Sequence, residues 1–201
     1  MKLYYAPRTR AMRILWLLEE LQLPYEIERG EFDPTTDRFF IQKTPTGKYP
    51  TLVDGDVTLC ESGAIVEWLL ERYGEGRLAP PVGTPERAAY LQWLHYAEGT
   101  AFPPVGIVVW LSRYRNEGEA QAVLLEDARA RAAACLDYVE QGIGEGPYLL
   151  GDDFSAADCM MGFTVFAAQS VGVLDERFPN LAAYLARLAS RPALQKVLAD
   201  L

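Results

Sequence analysis

Every strand signal in this chain falls before residue 61, and everything after residue 85 reads as helix. Between them lies Glu75–Pro85, EGRLAPPVGTP, whose prolines and glycines break elements rather than extend them. Two domains follow: residues 1–75 and 86–201, joined by a linker over 76–85. In the first part, Lys2–Tyr5 reads as a strand, Arg10–Leu21 as a helix and Tyr25–Arg29 as a second strand. A strand, a crossover helix and a strand favour a parallel pair. Ile14–Leu18 is apolar nearly all round, so this helix should be buried on more than one side. Thr36–Lys43 reads as a weaker helix with Phe39 and Phe40 inward. Thr51–Val53 and Val57–Cys60 flank Asp54-Gly55, a strong hairpin signal. Ser62–Tyr73 is a helix closed by Gly74. The result is a small α/β domain with a sheet of mixed pairing.

The remainder is an all-α bundle. Pro85–Arg115 is long and aromatic-rich, Glu119–Gln141 is alanine-rich, and Ala156–Val171 is apolar enough to be a central buried helix. Ser155 and Asp158 have capping-box spacing ahead of that helix, with Phe154 as its staple residue. Pro179–Ser190 and Ala193–Leu201 complete the chain.

Charge and residue inventory remove whole classes of function. The net charge of −9 argues against nucleic acid or an anionic membrane as partner. No apolar run reaches the ~20 residues of a membrane span. His95 is the one histidine, which removes multi-histidine metal sites, and no metal is expected. Cys60, Cys135 and Cys159 show no C-x-x-C spacing. With no signal-peptide pattern at the start, a reducing cytoplasm is the expected compartment.

Three short segments carry chemistry. In Lys48-Tyr49-Pro50, a cis Tyr49–Pro50 bond would turn the Tyr49 backbone outward to pair with an extended peptide; the alternative is an ordinary proline at a strand start. Glu61-Ser62 opens a helix. Ser62 either only caps it or, with the helix N–H groups, also receives a carboxylate, while Glu61 holds a neighbouring ammonium group. In the turn Ala6-Pro7-Arg8-Thr9-Arg10, Thr9 is a donor and Arg8, Arg10 and Arg13 are cations. Such a turn at a strand end can favour a bound thiolate, and the alternative is that Thr9 caps the helix. Lowering a thiol from ~8.5 by two units requires about 2.7 kcal/mol, within reach of one hydrogen bond plus a cation or dipole.

With these segments the chain resembles the glutathione transferase family. The resemblance rests on YYAPRTRAMRILWLLEELQLPYE, KYPTLVDGDVTLCESGAIVEWL and FSAADCMMGF, in family order and spacing. It implies a thioredoxin-like four-stranded mixed sheet followed by an all-α helical bundle, glutathione as co-substrate, and a cytosolic homodimer. It also implies that Pro50 is the cis proline and that the Tyr49 backbone pairs with the cysteinyl part of glutathione. Glu61 and Ser62 would hold the γ-glutamyl end, and Lys43 and Lys48 the glycyl carboxylate.

The chain departs from better-known classes at the catalytic position, which holds no cysteine or serine; Thr9, with Arg10 as rival or helper, is expected to stabilise the thiolate. Phe102, Trp110 and Tyr114 would wall a second, electrophilic substrate, or else serve packing. Glu98 would reach a partner subunit's ligand. The implied activity is conjugation of glutathione to a small hydrophobic electrophile. The alternatives are a glutathione-dependent isomerase or peroxidase, or a non-enzymatic scaffold.

Overall fold

Lys2–Tyr5 forms the expected strand, with Leu3 and Tyr5 fully buried and Lys2 and Tyr4 half-buried. In this computed structural model, which describes residues 1–30, 44–115 and 117–199, that strand is β1. It pairs in parallel with β2 (Glu26–Arg29) and antiparallel with β3 (Thr51–Asp54); β3 pairs antiparallel with β4 (Val57–Cys60). The order is β2-β1-β3-β4, the expected mixed sheet. The helix expected over Thr36–Lys43 lies outside the described residues.

The chain divides into two units, Met1–Leu78 with Ser190–Leu201, and Ala79–Ala189. In the first, α1 (Ala11–Leu21) buries every residue from Ala11 to Leu18, and Leu21. It does so because β1, α2 (Ser62–Tyr73) and the C-terminal helix α8 (Pro192–Leu198) all pack on it. Placing α8 here differs from the expected helical domain 86–201. The physical reason is ionic. Arg191 donates to both Glu20 carboxylate oxygens at 2.6 and 2.7 Å, the Trp16 indole reaches the same carboxylate at 2.9 Å, and Lys196 reaches Glu19 at 2.8 Å.

Asp54 is more than a turn residue. Its carboxylate accepts from the Trp68 indole at 2.9 Å and the Tyr73 hydroxyl at 2.7 Å, locking α2 to the hairpin. Burial pushes its pKa up, but the Tyr73 and Trp68 hydrogen bonds and the Arg72 charge outweigh it, so the net shift is downward. A depressed folded pKa gives stability that is complete above the ordinary carboxylate value and lost as pH falls through the folded one. Asp54→Asn should therefore destabilise the protein at neutral pH by about 1–2 kcal/mol. Urea midpoints of wild type and variant should converge as the solution is acidified below pH ~4.

Gly74 ends α2 with an ordinary negative φ. Glycine is needed there because a Cβ would lie 2.5 Å from the Leu70 carbonyl oxygen.

The second unit is helical. Thr84 caps α3 (Pro85–Tyr96), its hydroxyl accepting from the Arg87 N–H at 3.2 Å. The single helix expected over Pro85–Arg115 is interrupted by two wide π turns, Ala97–Ala101 and Trp110–Tyr114, on either side of α4 (Phe102–Val109). At the first of them, two carbonyls also accept donors from other helices. Thr164 of α6 (Ala156–Ser170) donates to the Ala97 carbonyl at 3.2 Å, and Cys135 of α5 (Ala122–Ile143) to that of Thr100 at 3.6 Å.

The capping box at Ser155 and Asp158 forms as predicted. Glu140 of α5 caps α7 (Pro179–Ala189), accepting from the N–H groups of Asn180 and Leu181 at 2.9 and 2.8 Å. Arg113 and Arg129 donate to the Ser170 and Val171 carbonyls at the end of α6. No described helix is long and apolar enough to cross a membrane.

Candidate functional site

Sheet register gathers the three chemically suggestive segments of the first unit. Tyr4 pairs with Thr51 and Thr51 with Cys60. The end of β1, the start of β3 and the end of β4 therefore share one end of the sheet. From that end run the turn into α1, the Tyr49–Pro50 step and the Glu61-Ser62 start of α2.

The Tyr49–Pro50 bond is cis. Among the described residues, neither the N–H nor the C=O of Tyr49 has a hydrogen-bond partner. This leaves the donor and acceptor that pairing with an extended peptide requires. The Tyr49 phenol lies against Gly30 so closely that a Cβ there would stand 1.4 Å from its oxygen. Burial, then the nearby Glu28 charge, raises the Tyr49 pKa, so the phenol stays neutral. Lys48 is exposed and its carbonyl accepts from the Thr51 hydroxyl at 3.3 Å; Lys43 lies outside the described residues.

At the start of α2 the roles of Glu61 and Ser62 differ from the expected cap. Glu61 is itself the N-cap residue, at φ 68° and ψ 113°, and neither side chain caps the helix. Ser62 is the first helical residue and is buried; its hydroxyl accepts from the Arg13 guanidinium at 3.1 Å. Arg13 is thus corrected from a cation of the β1–α1 turn to a fully buried group beneath Ser62. A helical pattern shows Arg13 on α1, but its contact lies 49 positions away and leaves no local signal.

In the β1–α1 turn, the Thr9 hydroxyl donates to the Ala6 carbonyl at 2.7 Å and accepts from the Ala11 N–H at 3.3 Å. Its proton is spent inside the turn, so donation to a thiolate requires the hydroxyl to rotate. Arg8 is exposed with φ 61°, and Arg10 is half-buried at the N-cap of α1.

In the second unit, Glu98 is half-buried within the first π turn. The Phe102 ring stacks on Phe163 with centroids 5.7 Å apart, so packing accounts for one face of it. Its edge also covers Gly106, where a Cβ would lie 3.2 Å away. Trp110 meets Tyr114 edge-on at 6.0 Å, with the Arg115 guanidinium 5.5 Å from its ring. His95 is exposed on α3. All three cysteines are free, and no metal-holding group occurs among the described residues.

A thioredoxin-like sheet with a cis-proline edge and a helical second unit matches one family in both halves. Residues 1–71 match the family model for the glutathione S-transferase N-terminal domain, and residues 122–187 the model for its C-terminal domain. The chain belongs to the glutathione transferase family, and its relatives support a glutathione S-transferase enzyme. It is 32% identical over 196 residues to glutathione S-transferase GstB of Escherichia coli, covering 94% of this chain and 92% of the relative. It is 29% identical over 206 residues to glutathione S-transferase 3 of Schizosaccharomyces pombe, covering 95% and 84%. Among solved structures, a glutathione transferase family member from Pseudomonas fluorescens Pf-5, with two glutathione bound, superposes with a TM-score of 0.83 at 26% identity. That match covers 98% of this chain and 91% of the other.

Proposed function

We propose that this enzyme joins the ionised thiol of glutathione to a small hydrophobic electrophile. The observation that carries the reading is the end of the sheet where Glu61, Ser62, the β1–α1 turn and the Tyr49 backbone, unpaired among the described residues, converge. Tyr49 and cis Pro50 receive the cysteinyl backbone of glutathione. Ser62 and the α2 N–H groups receive the γ-glutamyl carboxylate, and Glu61 receives the ammonium group. Lys48, with Lys43, attracts the glycyl carboxylate. The thiol then lies toward the turn, where Arg10, the N-terminal end of the α1 dipole and, once its hydroxyl turns from the Ala6 carbonyl, Thr9 favour its ionised form. Phe102 and Trp110 wall the electrophile, and Glu98 serves a ligand of a partner subunit. We further propose a cytoplasmic homodimer that takes neither nucleic acid nor membrane as partner.

Calorimetric titration tests this directly. Glutathione should bind at millimolar concentrations or below, and an aryl halide should be consumed with its conjugate as product. Ser62→Ala should weaken binding by roughly 1–2 kcal/mol, the scale of a hydrogen bond to a charged group. An unchanged dissociation constant would remove the γ-glutamyl end from α2.

A further inference from the structure

We propose that Arg13 is a positioning residue that sets the direction of the Ser62 hydroxyl and thereby reserves the start of α2 for a carboxylate. The inference rests on the placement of the γ-glutamyl end under Proposed function.

A serine hydroxyl has one proton and two lone pairs, whereas a guanidinium only donates and stays charged. The 3.1 Å contact between Arg13 Nη1 and Ser62 Oγ therefore has a single polarity, with Ser62 as acceptor. The serine proton must point elsewhere. Ser62 is 3% exposed, and among the described residues its hydroxyl makes no other hydrogen bond. A buried hydroxyl proton without an acceptor is unfavourable, so the arrangement is completed by an acceptor from outside the chain.

The neighbouring backbone selects the same kind of partner. No side chain caps α2, and its first intrahelical donor is the Ile65 N–H, bonded to the Glu61 carbonyl at 3.0 Å. The N–H groups ahead of it point out of the helix end as donors. With Ser62 forced into the donor role, the patch presents donors only, backed by the α2 dipole. A carboxylate satisfies such a patch and an ammonium group does not. With a neutral residue at position 13, the hydroxyl could turn inward or accept from a ligand, and the discrimination would fade.

The test compares glutathione with 4-aminobutyryl-cysteinyl-glycine, which keeps the ammonium group and lacks the γ-glutamyl α-carboxylate. Wild type, Arg13→Met, Arg13→Lys, Ser62→Ala and the Arg13→Met/Ser62→Ala double variant are titrated with both ligands, and thermal melts confirm folding. Arg13→Met should weaken glutathione by about tenfold, the loss of one charge-assisted hydrogen bond, and leave the analogue's affinity unchanged. The double variant should bind glutathione no worse than Ser62→Ala alone. Arg13→Lys should restore part of the affinity, and its comparison with wild type carries the test if Arg13→Met does not fold.

Equal losses for both ligands in the Arg13 variants, or additive losses in the double variant, would overturn the positioning role. If Ser62→Ala weakens glutathione and neither Arg13 variant does, the inference fails while the placement of the γ-glutamyl end stands. If Ser62→Ala leaves glutathione binding intact, that placement fails and the inference falls with it.

Discussion

Asp158→Ala should lower the unfolding free energy by about 3 kcal/mol or more, the largest stability loss expected from a single substitution here. The Asp158 carboxylate is fully buried in the second unit and accepts four hydrogen bonds. They come from the Leu149 N–H at 3.0 Å, the Ser155 N–H at 2.8 Å, the Ser155 hydroxyl at 3.0 Å and the Tyr184 hydroxyl at 2.9 Å. It thus joins the start of α6, the loop before it and α7. Alanine removes the shared acceptor and leaves several buried donors facing nothing, each costing about 1–3 kcal/mol. Asn is no remedy, since its NH2 group would be turned toward donors. Urea denaturation should give much lower midpoints for both variants, with Asn no more than partly better than Ala. A loss of unfolding free energy below ~1 kcal/mol for Asp158→Ala would show that water replaces the carboxylate at little cost.

Glu61 should show opposite effects on stability and on binding. Its φ of 68° with ψ of 113° is a conformation that disfavours any side chain and costs about 1–3 kcal/mol. Glu61→Gly releases that strain. Glycine's greater freedom in the unfolded chain offsets about 0.4–1 kcal/mol of the gain, so the folded state should be modestly more stable. Glutathione binding should fall roughly ten- to hundredfold, because a charge-assisted hydrogen bond worth about 1.5–3 kcal/mol is lost. Glu61→Gln separates the two effects. It keeps the backbone strain and loses only the charge, so binding should fall without any gain in stability. Melting temperatures alongside calorimetric titrations check both variants; a Glu61→Gly protein that melts lower than wild type would show that the backbone there is not strained.

Local pattern made much of the architecture legible. The apolar, tyrosine-rich Lys2–Tyr5, Asp54-Gly55 between two short strands, and the Pro- and Gly-rich break before Pro85 each act over a few residues, and each reads directly as a strand, a hairpin or a break. Pro50 and the Glu61-Ser62 pair were visible as a proline before a strand and a polar helix start, patterns that serve ordinary structure as well as a peptide ligand. The two π turns were hidden, since no local pattern marks them; at the first, Thr164 and Cys135 reach the Ala97 and Thr100 carbonyls from other helices. Phe102 and Trp110 were visible as aromatics, but whether packing claims them depends on neighbours such as Phe163.

The strands, the hairpin and the helix starts are thus properties of the chain read alone, because they depend on interactions between near neighbours. Tertiary structure decided which partners individual side chains take. It moved Arg13 from a cation of the β1–α1 turn to a buried donor beneath Ser62, and it made Ser62 not a side-chain cap but a hydroxyl with its proton unclaimed among the described residues. It also bound α8 to α1 through Glu19 and Glu20, 177 and 171 positions from their partners. A charge or a hydroxyl has several acceptable partners, and only the folded chain selects among them; an apolar stripe has one requirement, burial, and announces it by spacing.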